Sequence, residues 1–274
     1  MWISCVLISE GHLIQHSSFR RFQSEEANVR ASRIDDNRIR LSVRANPSLP
    51  ESENIRNAHV ITKALILALN VGALGYFYWE NDPWVHPQFT ITDDIGGDAR
   101  KTISLIVAPR VGDSEHRFPF SDMDEYRTAL LFGVFARGST HVLEDEYCRG
   151  LLLLRMQFCE IDFRRDAFMC FYRALEHFVT RRVLGVAKLQ NELKQLQSCI
   201  RSLGFRDDVV EEMRELYAVR SSQTAHAQNL PRQITGEEVL KLKIFVDIIL
   251  NKELLKEANK IMEQKYGPPH AARS

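Results

Sequence analysis

One segment in the C-terminal half carries two side chains suited to chemistry on a phosphate ester. Arg220 is followed after five residues by His226, and Ser221 and Ser222 lie between them. The pKa of a histidine is ordinarily about 6.5, which suits proton transfer near neutral pH. An arginine stays charged and can donate two hydrogen bonds to the oxygens of one phosphate. We therefore take Arg220 and His226 as candidate catalytic residues, and Ser221 and Ser222 as candidate contacts that bind or orient a phosphate.

The helix predicted from Asp208 places the two candidate catalytic side chains on different faces. With a rotation of about 100° per residue, Arg220 projects from the middle of the apolar side of this helix. That side consists of Val209, Val210, Met213, Leu216 and Tyr217. His226 lies about 120° around the axis and about 9 Å further along it on a regular helix. The two converge only if the helix ends near Thr224, if Arg220 reaches down the groove, or if two copies share the site.

The segment and its surroundings resemble a HEPN domain, a helical bundle in which an Arg, a short spacer and a His stand near the end of one helix. The matching segment begins at Leu216 and is followed by a helix break and by a final helix with a capping box. The resemblance covers about residues 123–264. One position departs from the family, because the residue after the Arg is often Asn, Asp or His and is Ser221 here.

The resemblance implies a metal-independent endoribonuclease that acts on RNA as a homodimer, with both motifs at the interface. Such cleavage requires proton transfer and a cation on the phosphorane, so we assign His226 to acid/base catalysis and Arg220 to charge stabilisation. The family also implies a defence or toxin-antitoxin setting, and a regulatory protein partner fits it. We expect no metal and no cofactor.

Two other interpretations of the segment stay open. Arg220 could form a buried ion pair that fixes the register of its helix, and His226 could be a polar residue near the negative end of the helix dipole. The chain would then be a non-catalytic, HEPN-like interaction or nucleotide-binding module. A third interpretation places an enzyme in the N-terminal part and uses the helices for dimerisation.

Composition excludes a general affinity for polyanions, because Lys plus Arg and Asp plus Glu both total 36 among 274 residues. The five cysteines are widely spaced, which predicts reduced and mostly buried thiols. The N-terminus lacks the pattern of a signal peptide. The most apolar stretch, 64–79, is short for a bilayer span and predicts a buried helix. These features favour a cytoplasmic protein without a membrane segment.

Composition and the spacing of apolar residues divide the chain into three predicted parts. These are an α+β domain over residues 1–118, an all-α, HEPN-like helical bundle over 119–266 and a disordered tail over 267–274. Residues 28–34 and 38–45 flank Asp35 and Asp36 and predict a half-buried hairpin. Capping boxes at Ser121 and Thr235 open two of the later helices. Apolar residues at steps of three and four predict one continuous helix over 186–203.

Two further groups of residues have both a functional interpretation and an interpretation as ordinary surface residues. Arg38, Arg40 and Arg44 share the polar face of the hairpin, where they are candidate RNA contacts or, more simply, solvent-facing charges. His12 and His16 have the spacing of ligands on a helix, but their surroundings lack helical periodicity. We expect an exposed loop there and no metal site.

Overall fold

The structure is a computed structural model that describes residues 1–19, 23–24, 28–80, 88–95, 97–104, 118–136, 141–155, 157–158, 161–224 and 233–266. The strands are β1 (Trp2–Glu10), β2 (His12–Leu13), β3 (Gln23–Ser24), β4 (Val29–Arg33), β5 (Arg38–Arg44), β6 (Tyr76–Trp79), β7 (Gln88–Thr92), β8 (Lys101–Ser104), β9 (Phe118–Pro119), β10 (Gln157–Phe158) and β11 (Ile161–Asp162). The helices are α1 (Glu51–Ala73), α2 (Asp122–Phe135), α3 (Val142–Arg155), α4 (Arg164–Phe178), α5 (Glu192–Ser202), α6 (Asp207–Thr224) and α7 (Gly236–Tyr266). An α+β beginning followed by a helical part is therefore confirmed.

The N-terminal sheet is antiparallel and is organised around β1. Its strand order is β3-β4-β5-β1-β7-β8, and β6 also pairs with β1. One edge of β1 pairs with β5, while β7 and β6 share the other edge, at Trp2–Ser4 and at Leu7–Glu10 respectively. β1 is therefore the central strand of the sheet, and most of its residues are buried.

The hairpin of β4 and β5 confirms the prediction from alternating residues. Ile39, Leu41 and Val43 are buried, whereas Arg40 and Arg44 on the opposite face of β5 are exposed. A strand places successive side chains on opposite faces, so this alternation fixes which face of β5 meets the core.

The apolar stretch that begins at residue 64 lies in α1, and its first part is buried. Residues Ala64 to Gly72 of α1 are all in the interior, so the prediction of a buried helix is confirmed. Among the described residues, no helix has the length and apolar content needed to cross a bilayer.

Two predicted capping boxes are present at helix starts. Ser121 and Asp124 exchange hydrogen bonds between side chain and backbone at the start of α2. Thr235 and Glu238 do the same before α7. Each box satisfies backbone donors that the first helical turn leaves without intrahelical partners.

The prediction of one helix over 186–203 is wrong. A π-helical turn over Val179–Val183 follows α4, and Gly185 then adopts a φ of 63°, a conformation that favours glycine. The next helix, α5, begins only at Glu192. This break places Glu192 in the first turn of α5, where a carboxylate is favoured by the helix dipole.

The core runs without interruption from the sheet into the helices. Helix α1 packs on the sheet and also contacts α2, α3 and α7, and buried residues of all these elements form one apolar cluster. The proposed domain boundary at residue 118 follows residues 105–117, which lie outside the described residues, so it stays a prediction. The predicted tail over 267–274 is also outside them.

Candidate functional site

Helix α6 places Arg220 beside its buried face. Val210, Met213, Leu216 and Val219 are buried, which agrees with the amphipathic pattern of the sequence. The side chain of Arg220 is 25% exposed, so its charge is neither freely solvated nor sealed in the core. A guanidinium in such a position needs an acidic partner, an interface or a ligand.

The partner of Arg220 is Glu192, which comes from the first turn of α5. The Arg220 Nη2 atom lies 3.4 Å from the Glu192 Oε2 atom. The hydroxyl of Tyr172, on α4, donates to the Glu192 Oε1 atom at 2.9 Å. The carboxylate thus links three helices through one cation and one hydroxyl.

Two aromatic rings flank the guanidinium of Arg220. Its central carbon lies 5.5 Å from the ring centroid of Tyr172 and 5.9 Å from that of Tyr217. Cations at such distances are attracted by the ring quadrupole. Among the described residues, the Arg220 Nε atom is buried and has no acceptor. We call Arg220, Glu192, Tyr172 and Tyr217 the Arg220 cluster. It fixes the guanidinium in position, and its members do not accept from the Arg220 Nε–H.

A second carboxylate, Glu176 on α4, lies near the Arg220 cluster. Burial raises the pKa of Glu176, and the charge of Glu192 raises it further, whereas Arg220 lowers it. Burial and the charge of Glu192 also raise the pKa of Tyr172, so its hydroxyl keeps its proton and remains a donor. Glu192 therefore pairs with Arg220, and Glu176 lies near enough for the charge of Arg220 to lower its pKa.

Of the other predicted site residues, the structure describes Ser221 and Ser222 but not His226. The described residues of α6 extend to Thr224, and His226 lies outside them, so its approach to Arg220 stays a prediction. Ser221 and Ser222 are half-buried, and the Ser222 hydroxyl donates to the Val219 carbonyl at 2.6 Å. That bond engages Ser222 with its own helix in this structure.

The arginines of the hairpin lie on an element with different neighbours from α6. Arg38 is held by Asp35 at 2.6 Å and by Glu80 at 3.2 Å, while Arg40 and Arg44 face solvent. Strand β5 packs on β1, β4 and α1, whereas α6 packs on α4 and α5. Within the described part of the chain, the main neighbours of β5 therefore differ from those of α6.

His12 differs from the expectation of an exposed loop. It is buried, and its ring stacks on Phe77 with 5.4 Å between centroids, whereas His16 is exposed. Burial lowers the pKa of His12, which favours its neutral form. Within the described ranges, no three His, Cys, Asp or Glu side chains are grouped to hold a metal ion. Four cysteines are free and buried, as predicted: Cys5, Cys148, Cys170 and Cys199.

A second polar cluster, which the sequence did not reveal, is sealed in the core. Lys243 and Asp247 of α7 form an ion pair at 2.7 Å, with side chains only 3% and 1% exposed. Tyr147 of α3 donates to Asp247, and Lys243 donates to the Gly75 carbonyl after α1. Burial raises the pKa of Asp247 to about 6. These groups join three elements but have no access to a substrate.

The sequence could have indicated Lys243 and Asp247 by their spacing of four residues on an apolar helix face. It could not indicate that Glu192 and Tyr172 meet Arg220, because these residues are far apart in the chain. Comparisons of the chain with protein-family models, with curated proteins and with solved structures find no match.

Proposed function

We propose that this chain is a metal-independent endoribonuclease of the HEPN type, acting as a homodimer, with its site at the C-terminal part of α6. One observation carries the proposal. Arg220 lies near the described end of α6 and is held by Glu192 and two tyrosine rings, yet a quarter of its side chain remains exposed. A cation held in this way is suited to stabilising charge that develops on a phosphate.

The proposed reaction needs no group beyond RNA and side chains. The RNA 2′-hydroxyl forms a bond to the adjacent phosphorus while the bond from phosphorus to the 5′-oxygen breaks. His226 accepts the 2′-hydroxyl proton, and a protonated His226 of the second copy donates one to the leaving oxygen. Arg220 stabilises the negative oxygens of the phosphorane. The products are a 2′,3′-cyclic phosphate and a 5′-hydroxyl.

Glu192 has a positioning role in this proposal. Because it shares its two oxygens between Arg220 and Tyr172, it fixes the guanidinium before a substrate arrives. A positioned charge contributes more to catalysis than one that must reorganise during the reaction. The N-terminal α+β part, with its exposed Arg40 and Arg44, would then serve recognition or regulation.

The second candidate function is a non-catalytic HEPN-like interaction or nucleotide-binding module. The ion pair between Arg220 and Glu192 favours it, because the pair accounts for the arginine without any ligand. The buried pair would then serve only to join α4, α5 and α6.

Incubation of the full chain with mixed RNA in EDTA separates the two functions. The nuclease proposal expects cleavage by the wild type and a loss of about a hundredfold or more for His226→Ala and for Arg220→Ala. Arg214→Ala is the matched control, because Arg214 lies on the same helix and pairs with Glu211 at the surface. Equal cleavage by all variants contradicts the site. Absence of cleavage by the folded wild type favours the non-catalytic module.

A further inference from the structure

A cleft between α3 and α4 concentrates arginines in a chain whose formal charge is zero. The cleft has a volume of about 630 Å³, within the range of about 300–1,000 Å³ for ligand pockets. Arg149, Arg165 and Arg173 line it together with the apolar side chains of Leu153, Phe163 and Met169. Such a lining can surround a ligand that has both a charged and an apolar part.

Two of these arginines come from different helices and meet at one carboxylate. Arg149 Nη1 lies 3.4 Å from Glu146 Oε1, and Arg173 Nη1 lies 3.7 Å from Glu146 Oε2. Both distances exceed the roughly 2.7–2.9 Å of a strong charge-assisted hydrogen bond. The side chains of Arg149 and Arg173 are 57% and 54% exposed, while that of Glu146 is 17% exposed. Glu146 is therefore a loosely held counterion between two accessible cations.

The hydrogen-bonding capacity of two arginines favours an external anion. Among the described residues, Arg149 and Arg173 share the single carboxylate of Glu146. Each guanidinium has five N–H donors, far more than one shared carboxylate can engage. The wall also contains Cys170, and burial raises the pKa of its thiol to about 12. The thiol is thus a neutral part of the wall.

We propose that this cleft binds a small organic phosphate. Its phosphate group lies between Arg149 and Arg173 and takes over their contact with Glu146. Its apolar part lies against Phe163 and Met169. A phosphate suits the site better than a carboxylate, because its three terminal oxygens and its charge near −2 engage two guanidinium groups at once. This proposal does not depend on RNA cleavage.

Phenyl phosphate is the probe, because it joins a phosphate to a flat apolar group, and titration calorimetry on the full chain measures its binding. We expect it to bind at least tenfold more tightly than inorganic phosphate, and phenol to bind more weakly than either. Arg149→Ala and Arg173→Ala should each weaken binding about tenfold. Glu146→Gln should strengthen it several-fold, because the internal competitor loses its charge.

Arg214→Ala is the matched control, since Arg214 and Glu211 form a surface pair with the same spacing as Arg149 and Glu146. It should bind phenyl phosphate like the wild type. Circular dichroism confirms that each variant is folded, and Arg173→Gln replaces Arg173→Ala if the latter is not. The proposal is overturned by a folded wild type that does not bind the probe. Equal binding by the Arg149, Arg173 and Arg214 variants, or weaker binding by Glu146→Gln, also overturns it.

Discussion

Replacing Arg220 by methionine removes the charge that joins three helices. At the observed 3.4 Å, the attraction between Arg220 and Glu192 is about 5 kcal/mol in a medium of effective dielectric constant near 20. Desolvation of both groups offsets most of this attraction, so a net coupling of about 1–2 kcal/mol is expected. The variant also loses the contacts with Tyr172 and Tyr217, at about 0.5–1 kcal/mol each. Arg220→Met should therefore lower the free energy of unfolding by about 2–4 kcal/mol.

A double-mutant cycle isolates the coupling between the two charges. Urea unfolding, followed by circular dichroism, gives the free energy of unfolding for the wild type, Arg220→Met, Glu192→Gln and the double variant. Glutamine keeps an oxygen that can accept from Tyr172, so the single change at Glu192 removes mainly the charge. We expect the two effects to be non-additive by about 1–2 kcal/mol.

The matched cycle uses Arg214 and Glu211, whose side chains are 61% and 53% exposed. The Arg214 Nη1 and Glu211 Oε1 atoms lie 3.0 Å apart, closer than the 3.4 Å between Arg220 and Glu192. Exposed pairs within one helix nevertheless typically contribute less than about 0.5 kcal/mol to stability. Burial, not distance, should therefore decide which pair is strong. A coupling at Arg220 no larger than that at Arg214 would contradict the expected effect of burial.

Three further substitutions test the buried charge and the packing. Glu144 is 3% exposed, and burial raises its pKa to about 7 from its ordinary 4.5, so the folded state holds this proton more tightly than the unfolded state. Glu144 should therefore lower stability by up to about 3 kcal/mol as pH rises from about 4.5 through 7, and Glu144→Gln should remove this part of the fall, while the part from Asp247, whose pKa is also raised, remains. Parallel curves of unfolding free energy against pH for the two proteins would contradict this. Gly72→Ala should destabilise the chain by about 1–3 kcal/mol, because its Cβ would meet the backbone nitrogen of Thr128 at 2.9 Å. Gly133→Ala meets nothing within 4 Å and should stabilise α2 by about 0.5–1 kcal/mol; a higher thermal midpoint for Gly72→Ala than for Gly133→Ala would be the contrary result.

Local features of the fold could be predicted, because their causes lie within a few residues. The alternation in β5 fixed its buried face, and the capping pairs at Ser121 and Thr235 marked helix starts correctly. The amphipathic pattern of α6 also placed Arg220 beside buried residues. In each case a repeat or a short motif determines the local structure without reference to the rest of the chain.

Features that depend on distant residues could not be predicted. The apolar spacing over 186–203 included the non-helical residues that precede α5, because Leu189 is buried although it lies outside any helix. The helix start at Glu192 was therefore missed, and with it the partner of Arg220. His12 was likewise expected at the surface, since the sequence does not show that Phe77 covers it.

The most direct test of the proposed function uses an RNA oligonucleotide with one cleavable linkage, incubated with the full chain in EDTA. The wild type and Arg214→Ala should give 2′,3′-cyclic phosphate ends. Arg220→Ala and His226→Ala should each lose about a hundredfold or more of the cleavage rate. A 2′-deoxy sugar at the cleaved position should abolish the reaction, because the attacking hydroxyl is absent. Cleavage that survives the deoxy substitution, or that is unchanged in both site variants, would contradict the proposed function.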